Sequence, residues 1–194
     1  MNKDFKFKLY FRKSSFKKDL ESAKILFDEV DFYLPKNFLE IGVFQGVTSR
    51  NICERLSFIN QNNFKYYGVD IFEDNNNILD EKEMTTKSNK ISNPIKHFLY
   101  NILFKENLNS EKSVRKLLKK FNKNVILYKG LSEKILPKIK MSEIDFVFLD
   151  GGHSYETVKK DLSLILSTIK KNKIIICDDY DQKDYGVKKA VDEL

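Results

Sequence analysis

The chain has 194 residues, 41% apolar and 32% charged, which is enough to bury a core and too apolar for a disordered chain. No apolar run reaches the roughly 18 residues of a membrane span, and the opening MNKDFKFKLYFRK lacks the apolar block of a secretory leader, so a cytoplasmic domain that makes no membrane contact is expected. The net charge of +7 is spread among acids, with no dense basic run and no aromatic–basic repeat, which argues against specific nucleic-acid binding.

Phe5, Phe7, Leu9 and Phe11 alternate with mostly polar residues, enough for a short arm or an edge strand. Phe16, Leu20, Ala23, Phe27 and Val30 then recur at helical spacing behind Ser14 and Ser15, which predicts a helix over about 15–31 that Pro35 closes. In KNFLEIGVFQGVTSRNICERLSFI, Phe38 to Val43 reads as a strand and Gly42 with Gly46 as a turn. Thr48 or Ser49 is the expected cap of a helix carrying Ile52, Leu56 and Ile59. KYYGVDIF is a second strand ending near Asp70, which completes a βαβ pattern.

Glu73 to Asn93 is polar and reads as a loop. Two amphipathic helices follow, over about 94–104 and 110–121. His97 lies on the first and reads as a packing residue. VILYKG is a third strand and LSEKILPKI a short helix. Asp145 to Asp150 is a fourth strand, apolar between its end acids as expected of a parallel strand covered on both faces. Tyr155 to Ile169 is a helix, KIIICDDY a fifth strand, and Gly186 to Leu194 a last helix. Cys53 and Cys177 each sit in an apolar segment and read as small hydrophobes, not as a disulfide or zinc site.

Five strands alternating with helices predict a doubly wound α/β sheet, whose ligands bind outside the strands' carboxyl ends. Glu40, Asp70, Asp150, Asp178 and Asp179 all fall at or near such ends. The turn after the first strand departs from the dinucleotide fingerprint G-x-G-x-x-G, because Glu40 stands in place of the first glycine. A carboxylate there disfavours pyrophosphate and suits a cationic ligand without phosphate.

LEIGVFQGVTS resembles the first motif of class I S-adenosylmethionine-dependent methyltransferases, an acid-x-Gly-x-x-x-Gly loop. The resemblance runs from about Phe38 to Leu194 and implies a Rossmann-like, mostly parallel methyltransferase sheet in a single domain over 1–194. Residues 1–35 would be an N-terminal arm and helix, and 74–123 a helical insertion or lid. It also implies a cofactor site of Glu40, Gly42, Gly46, Asp70, Gly130, Leu131 and Asp150, with Asp70 on the ribose and Gly130 and Leu131 near the adenine. DGGHSYETVKKDL, with CDDY and GVKKAV, is similar to the small-molecule O-methyltransferase branch that includes macrocin-type sugar methyltransferases. That branch implies Mg2+ held by Asp150, Asp178 and Asp179, and a hydroxylated small-molecule acceptor such as a sugar or glycan precursor. Where the sugar subgroup usually has a second acid, this chain has Gly152 followed by His153, which makes His153 the candidate base beside Asp150.

Sheets of this family continue with two further strands, so the last strands are expected to be missing and the chain to be a fragment. Tyr155 either lines an acceptor pocket or packs. The helices of the middle segment serve either as an acceptor wall or as a homo-oligomer surface. The competing reading is a degenerate methyltransferase fold acting as a binding module without catalysis. A nicotinamide dehydrogenase is disfavoured by Glu40.

Overall fold

The computed structural model describes residues 6–72, 107–168 and 173–194. The helix expected over 94–104, His97, the whole polar segment 73–93 and Ile169 lie outside these residues.

Residues 6–11 form an arm and not a strand. The Asn51 side chain pins it, accepting from Lys8 N at 2.9 Å and donating to Lys8 O at 2.8 Å. The first helix begins later than its periodicity suggests. Ser15–Lys17 is a 3-10 turn that buries Phe16, and helix α1 spans Leu20–Tyr33. Its cap is Asp19, not Ser14 or Ser15, because the Asp19 carboxylate accepts from Ser22 N at 3.0 Å. Leu34, with φ of 49°, turns the chain out of the helix ahead of Pro35.

Strand β1, Asn37–Ile41, leads through the glycine turn into helix α2, Val47–Ile59, and then strand β2, Lys65–Asp70. The cap of α2 is Gly46 in the left-handed region, and Thr48 and Ser49 lie within the first turn. Ser49 is instead drawn inward to Glu40. Beyond the middle segment come helix α3, Glu111–Leu117, strand β3, Val125–Lys129, and helix α4, Ser132–Ile135. Strand β4, Phe146–Leu149, helix α5, Tyr155–Thr168, strand β5, Ile174–Cys177, and helix α6, Val187–Asp192, complete the described chain.

The sheet is parallel throughout, in the order β3-β2-β1-β4-β5. Strand alternation sends Phe38 and Glu40 to one face and Leu39 and Ile41 to the other. On the first face Phe38 stacks between Tyr66 and Phe146, with centroids 6.2 and 5.0 Å away, above the apolar sides of α1, α2 and α3. On the second face Leu39, Ile41, Val147 and Leu149 pack against α4, α5 and α6. Strands β1 and β4 are buried on both sides, as the unbroken apolar run of β4 requires, and β1 carries the one acid Glu40 within its run. β5 lies at the sheet's edge and is half-buried along its length. Among the described residues no helix is long and apolar enough to cross a membrane.

Parallel pairing continues one residue past the ends of β1, β3, β4 and β5. Gly42 N donates to Val69 O, Gly130 N to Asp70 O, Asp150 N to Ile41 O and Asp178 N to Leu149 O, all at 2.8–3.0 Å. Four loops therefore leave the sheet at one level. Those after β1 and β4 flank the point where strand order reverses, the crevice in which doubly wound folds bind ligands.

Candidate active site

The glycine turn has three residues of positive φ: Gly42 at 95°, Phe44 at 51° and Gly46 at 73°. A Cβ on Gly42 would lie 1.9 Å from Asp150 O, so only glycine lets this turn rest on the end of β4. Asp70 holds the turn from within. One carboxylate oxygen accepts from Val43 N at 2.7 Å and Phe44 N at 2.8 Å, and the other accepts from Phe72 N at 2.7 Å. Gly130 joins the same corner through its bond to Asp70 O, and Leu131 follows as the residue capping α4. The turn, Asp70 and the Gly130–Leu131 pair thus adjoin along β1, β2 and β3.

Glu40 sits differently from the sequence expectation of an open anion. It is 1% exposed on the α2 face and accepts from Ser49 Oγ at 2.8 Å and from the Tyr66 hydroxyl. Burial pushes its carboxyl up to about 8, against the pull of those two bonds. Near neutral pH it mostly keeps its proton and ties β1 to α2 and β2. Its part in ligand selection is therefore shape and not an exposed charge.

Across the crevice, Asp150 follows β4, and Asp178 and Asp179 follow β5. Burial first, then the Asp178 carboxylate, push the Asp150 carboxyl well up. Burial and then Asp179 raise Asp178. The charge of the neighbouring Asp178 thus disfavours charge on Asp150, as expected of crowded carboxyls. Asp179 has φ of 58°, and its carboxylate lies 3.0 Å from His153 Nε2. Asp150, His153 and Asp179 each offer a donor atom, and the three atoms all lie within 4.8 Å of one another. The set that converges on a potential cation thus contains His153 where the sequence suggested Asp178. Two carboxylates and an imidazole are a sound donor set for a divalent ion. A cleft between the Asp150–His153 loop, Asp178, Asp179 and Val187 opens over this cluster.

Two supports of the histidine escaped sequence reasoning. The Tyr185 ring lies 4.3 Å from the His153 ring, tilted by 36°. Gly186 N donates to His153 O at 2.8 Å, and a Cβ there would lie 2.2 Å from Tyr155 N, so the start of α6 docks on the start of α5. The bare Tyr-Gly step before the amphipathic VKKAV was the available signal. Tyr155 itself packs: its hydroxyl bonds Glu193, and Lys189 lies 4.3 Å over its ring.

A family profile described as "Methyltransferase domain" matches residues 39–180. No curated protein sequence matches the chain. Among solved structures, the calicheamicin methyltransferase CalS11 is 17% identical, with 95% of this chain and 73% of that one covered and a TM-score of 0.64. The methyltransferase PaMTH1 of Podospora anserina, bound to SAH, is 19% identical over 87% of this chain and 54% of that one, with a TM-score of 0.54. An O-methyltransferase of Bacillus cereus in complex with SAH is 16% identical over 95% and 70%, with a TM-score of 0.57. At these identities the likeness is one of fold. The chain spans about half the length of PaMTH1 and 70% or more of the other two.

Proposed function

Because the chain belongs to the methyltransferase-domain family, we propose that it is an S-adenosylmethionine-dependent O-methyltransferase acting on a small hydroxylated acceptor, a sugar or glycan precursor. One observation carries this reading. At the strand-order reversal, a glycine turn tied to Asp70 faces a proton-handling cluster of Asp150, His153, Asp178 and Asp179.

The residues on the cofactor side fit a nucleoside. Gly42 brings half-buried backbone to the crevice, Gly46 lets the turn close against Val114, Asp70 ends β2 with a carboxylate suited to a ribose diol, and Gly130 and Leu131 offer an apolar edge for a base. S-adenosylmethionine, when bound, supplies a methyl group already activated by its sulfonium. The chain's own task is to orient an acceptor hydroxyl and take its proton. The His153 imidazole, whose Nε2–H is held by Asp179 and whose ring is backed by Tyr185, accepts that proton on its other nitrogen, Nδ1, as the oxygen–methyl bond forms and the sulfur–methyl bond breaks. A divalent ion, such as Mg2+, would be held by Asp150 and Asp179, with Asp178 or His153 completing the set. It would lower the acceptor hydroxyl's pKa.

Transfer of labelled methyl from S-adenosylmethionine to a panel of hydroxylated sugars, with and without chelator, tests the proposal. His153→Ala is expected to lower turnover by about 10²–10⁴-fold while leaving S-adenosylhomocysteine affinity near the parent value. Full activity in both the variant and the chelated enzyme would reject the base and the metal together. Cofactor affinity without transfer to any acceptor would favour the binding-module reading.

A further inference from the structure

The glycine turn is gripped from outside as well as from within. Arg12, on the N-terminal arm, places one Nη 3.0 Å from Gln45 O and 3.4 Å from Leu108 O. Its other Nη lies 3.0 Å from Ser113 O and 2.9 Å from Ser113 Oγ. Next to it, Lys13 N donates to Gln45 Oε1 at 2.8 Å, and Gln45 Nε2 donates to Asn109 Oδ1 at 2.9 Å. Gln45 and Asn109 are each 4% exposed and Ser113 is 1% exposed, so this is an enclosed polar knot. It joins three segments far apart in sequence: the arm, the apex of the glycine turn, and the lead-in and first turn of α3. Gly46 touches the same helix, since a Cβ there would lie 3.0 Å from Val114 Cγ1.

We propose that Arg12 is a positioning residue that holds the glycine turn in its ligand-ready shape. The inference rests on the reading of that turn as the nucleoside site. The turn needs outside support for two reasons. Phe44 is a bulky residue in the left-handed region, a conformation that persists only where the surroundings over-determine it. The inner support, Asp70, is also the residue assigned to the ribose, so it serves the ligand and the turn with one carboxylate. A fork anchored on Gln45 O keeps the apex fixed while Asp70 accepts ligand hydroxyls, and a site ordered in advance binds more tightly. Only a guanidinium spans Gln45 and Ser113 together. A lysine ammonium reaches one of them. Two consecutive left-handed residues, Tyr10 at 49° and Phe11 at 60°, are the bend that delivers Arg12 to this place.

The test pairs S-adenosylhomocysteine calorimetry with hydrogen exchange of the ligand-free protein, on the parent chain, Arg12→Lys and Ser113→Ala. Arg12→Lys is expected to weaken affinity at least tenfold. It should speed exchange at Val43 to Gly46 and at Ser113 and Val114, while β4 and α5 exchange at the parent rate. Ser113→Ala, which removes one of the four acceptors described above, is expected to weaken affinity no more than threefold. Parent affinity in Arg12→Lys overturns the proposal, as does faster exchange spread evenly over the sheet, which would mark a plain loss of stability. If the parent chain itself ignores S-adenosylhomocysteine, the nucleoside reading fails, and the exchange pattern alone then decides whether Arg12 holds the turn.

Discussion

Glu40 gives the sharpest single-residue consequence, because its carboxyl is buried and raised to about 8. In the unfolded chain the group titrates near 4.5, so between those values the native state holds a proton that the unfolded state has lost. Stability must therefore fall as pH rises through that window, at most by about 1.4 kcal/mol per pH unit from this group. Glu40→Gln keeps a hydrogen-bonding side chain for Ser49 and Tyr66 and removes the titration. Denaturant unfolding from pH 5 to 8 should show a flatter decline in the variant than in the parent. Asp150 and Asp178, also raised by burial, leave part of the slope in place. Parallel curves for the two proteins would remove Glu40 as the source.

At the scale of elements, the fold is assembled where loops rest on strand ends. The Gly42 turn sits on the backbone of Asp150, and α6 sits on the start of α5 through Gly186. A side chain at Gly42 or Gly186 meets backbone that cannot step aside, whereas at Gly46 it meets the Val114 side chain at 3.0 Å. Gly42→Ala is accordingly expected to cost about 3 kcal/mol or more, and Gly46→Ala about 1–2 kcal/mol, chiefly for its positive φ. Urea midpoints rank the two. An equal or reversed order would mean that the contact between the turn and β4 is not what holds these halves together.

For the whole molecule, the strand order β3-β2-β1-β4-β5 turns residues scattered from Arg12 to Gly186 into one edge. Much of that edge was legible in the chain. The apolar runs of β2, β4 and β5 end on acids at one level, and that phase survives a shift of strand boundaries. Gly42 and Gly46 announced a tight turn and have one. Local capping was less legible. Ser14, Ser15 and Thr48 are as good on paper as Asp19 and Gly46, and tertiary burial of Phe16 and the inward pull of Ser49 decided between them. Glu40 was visible as an acid, but its burial depends on Tyr66, 26 residues on. The Arg12 knot spans separations of 33 to 101 residues and leaves no periodic trace in the sequence.

Titration of the ligand-free protein with S-adenosylhomocysteine and, separately, with NADH tests most directly whether this edge is a nucleoside site of the methyltransferase kind. Saturable one-to-one binding of S-adenosylhomocysteine, at least tenfold weaker in Asp70→Asn, with no heat from NADH, is the predicted result. Binding of NADH but not of S-adenosylhomocysteine, or unchanged affinity in a folded Asp70→Asn protein, would contradict it.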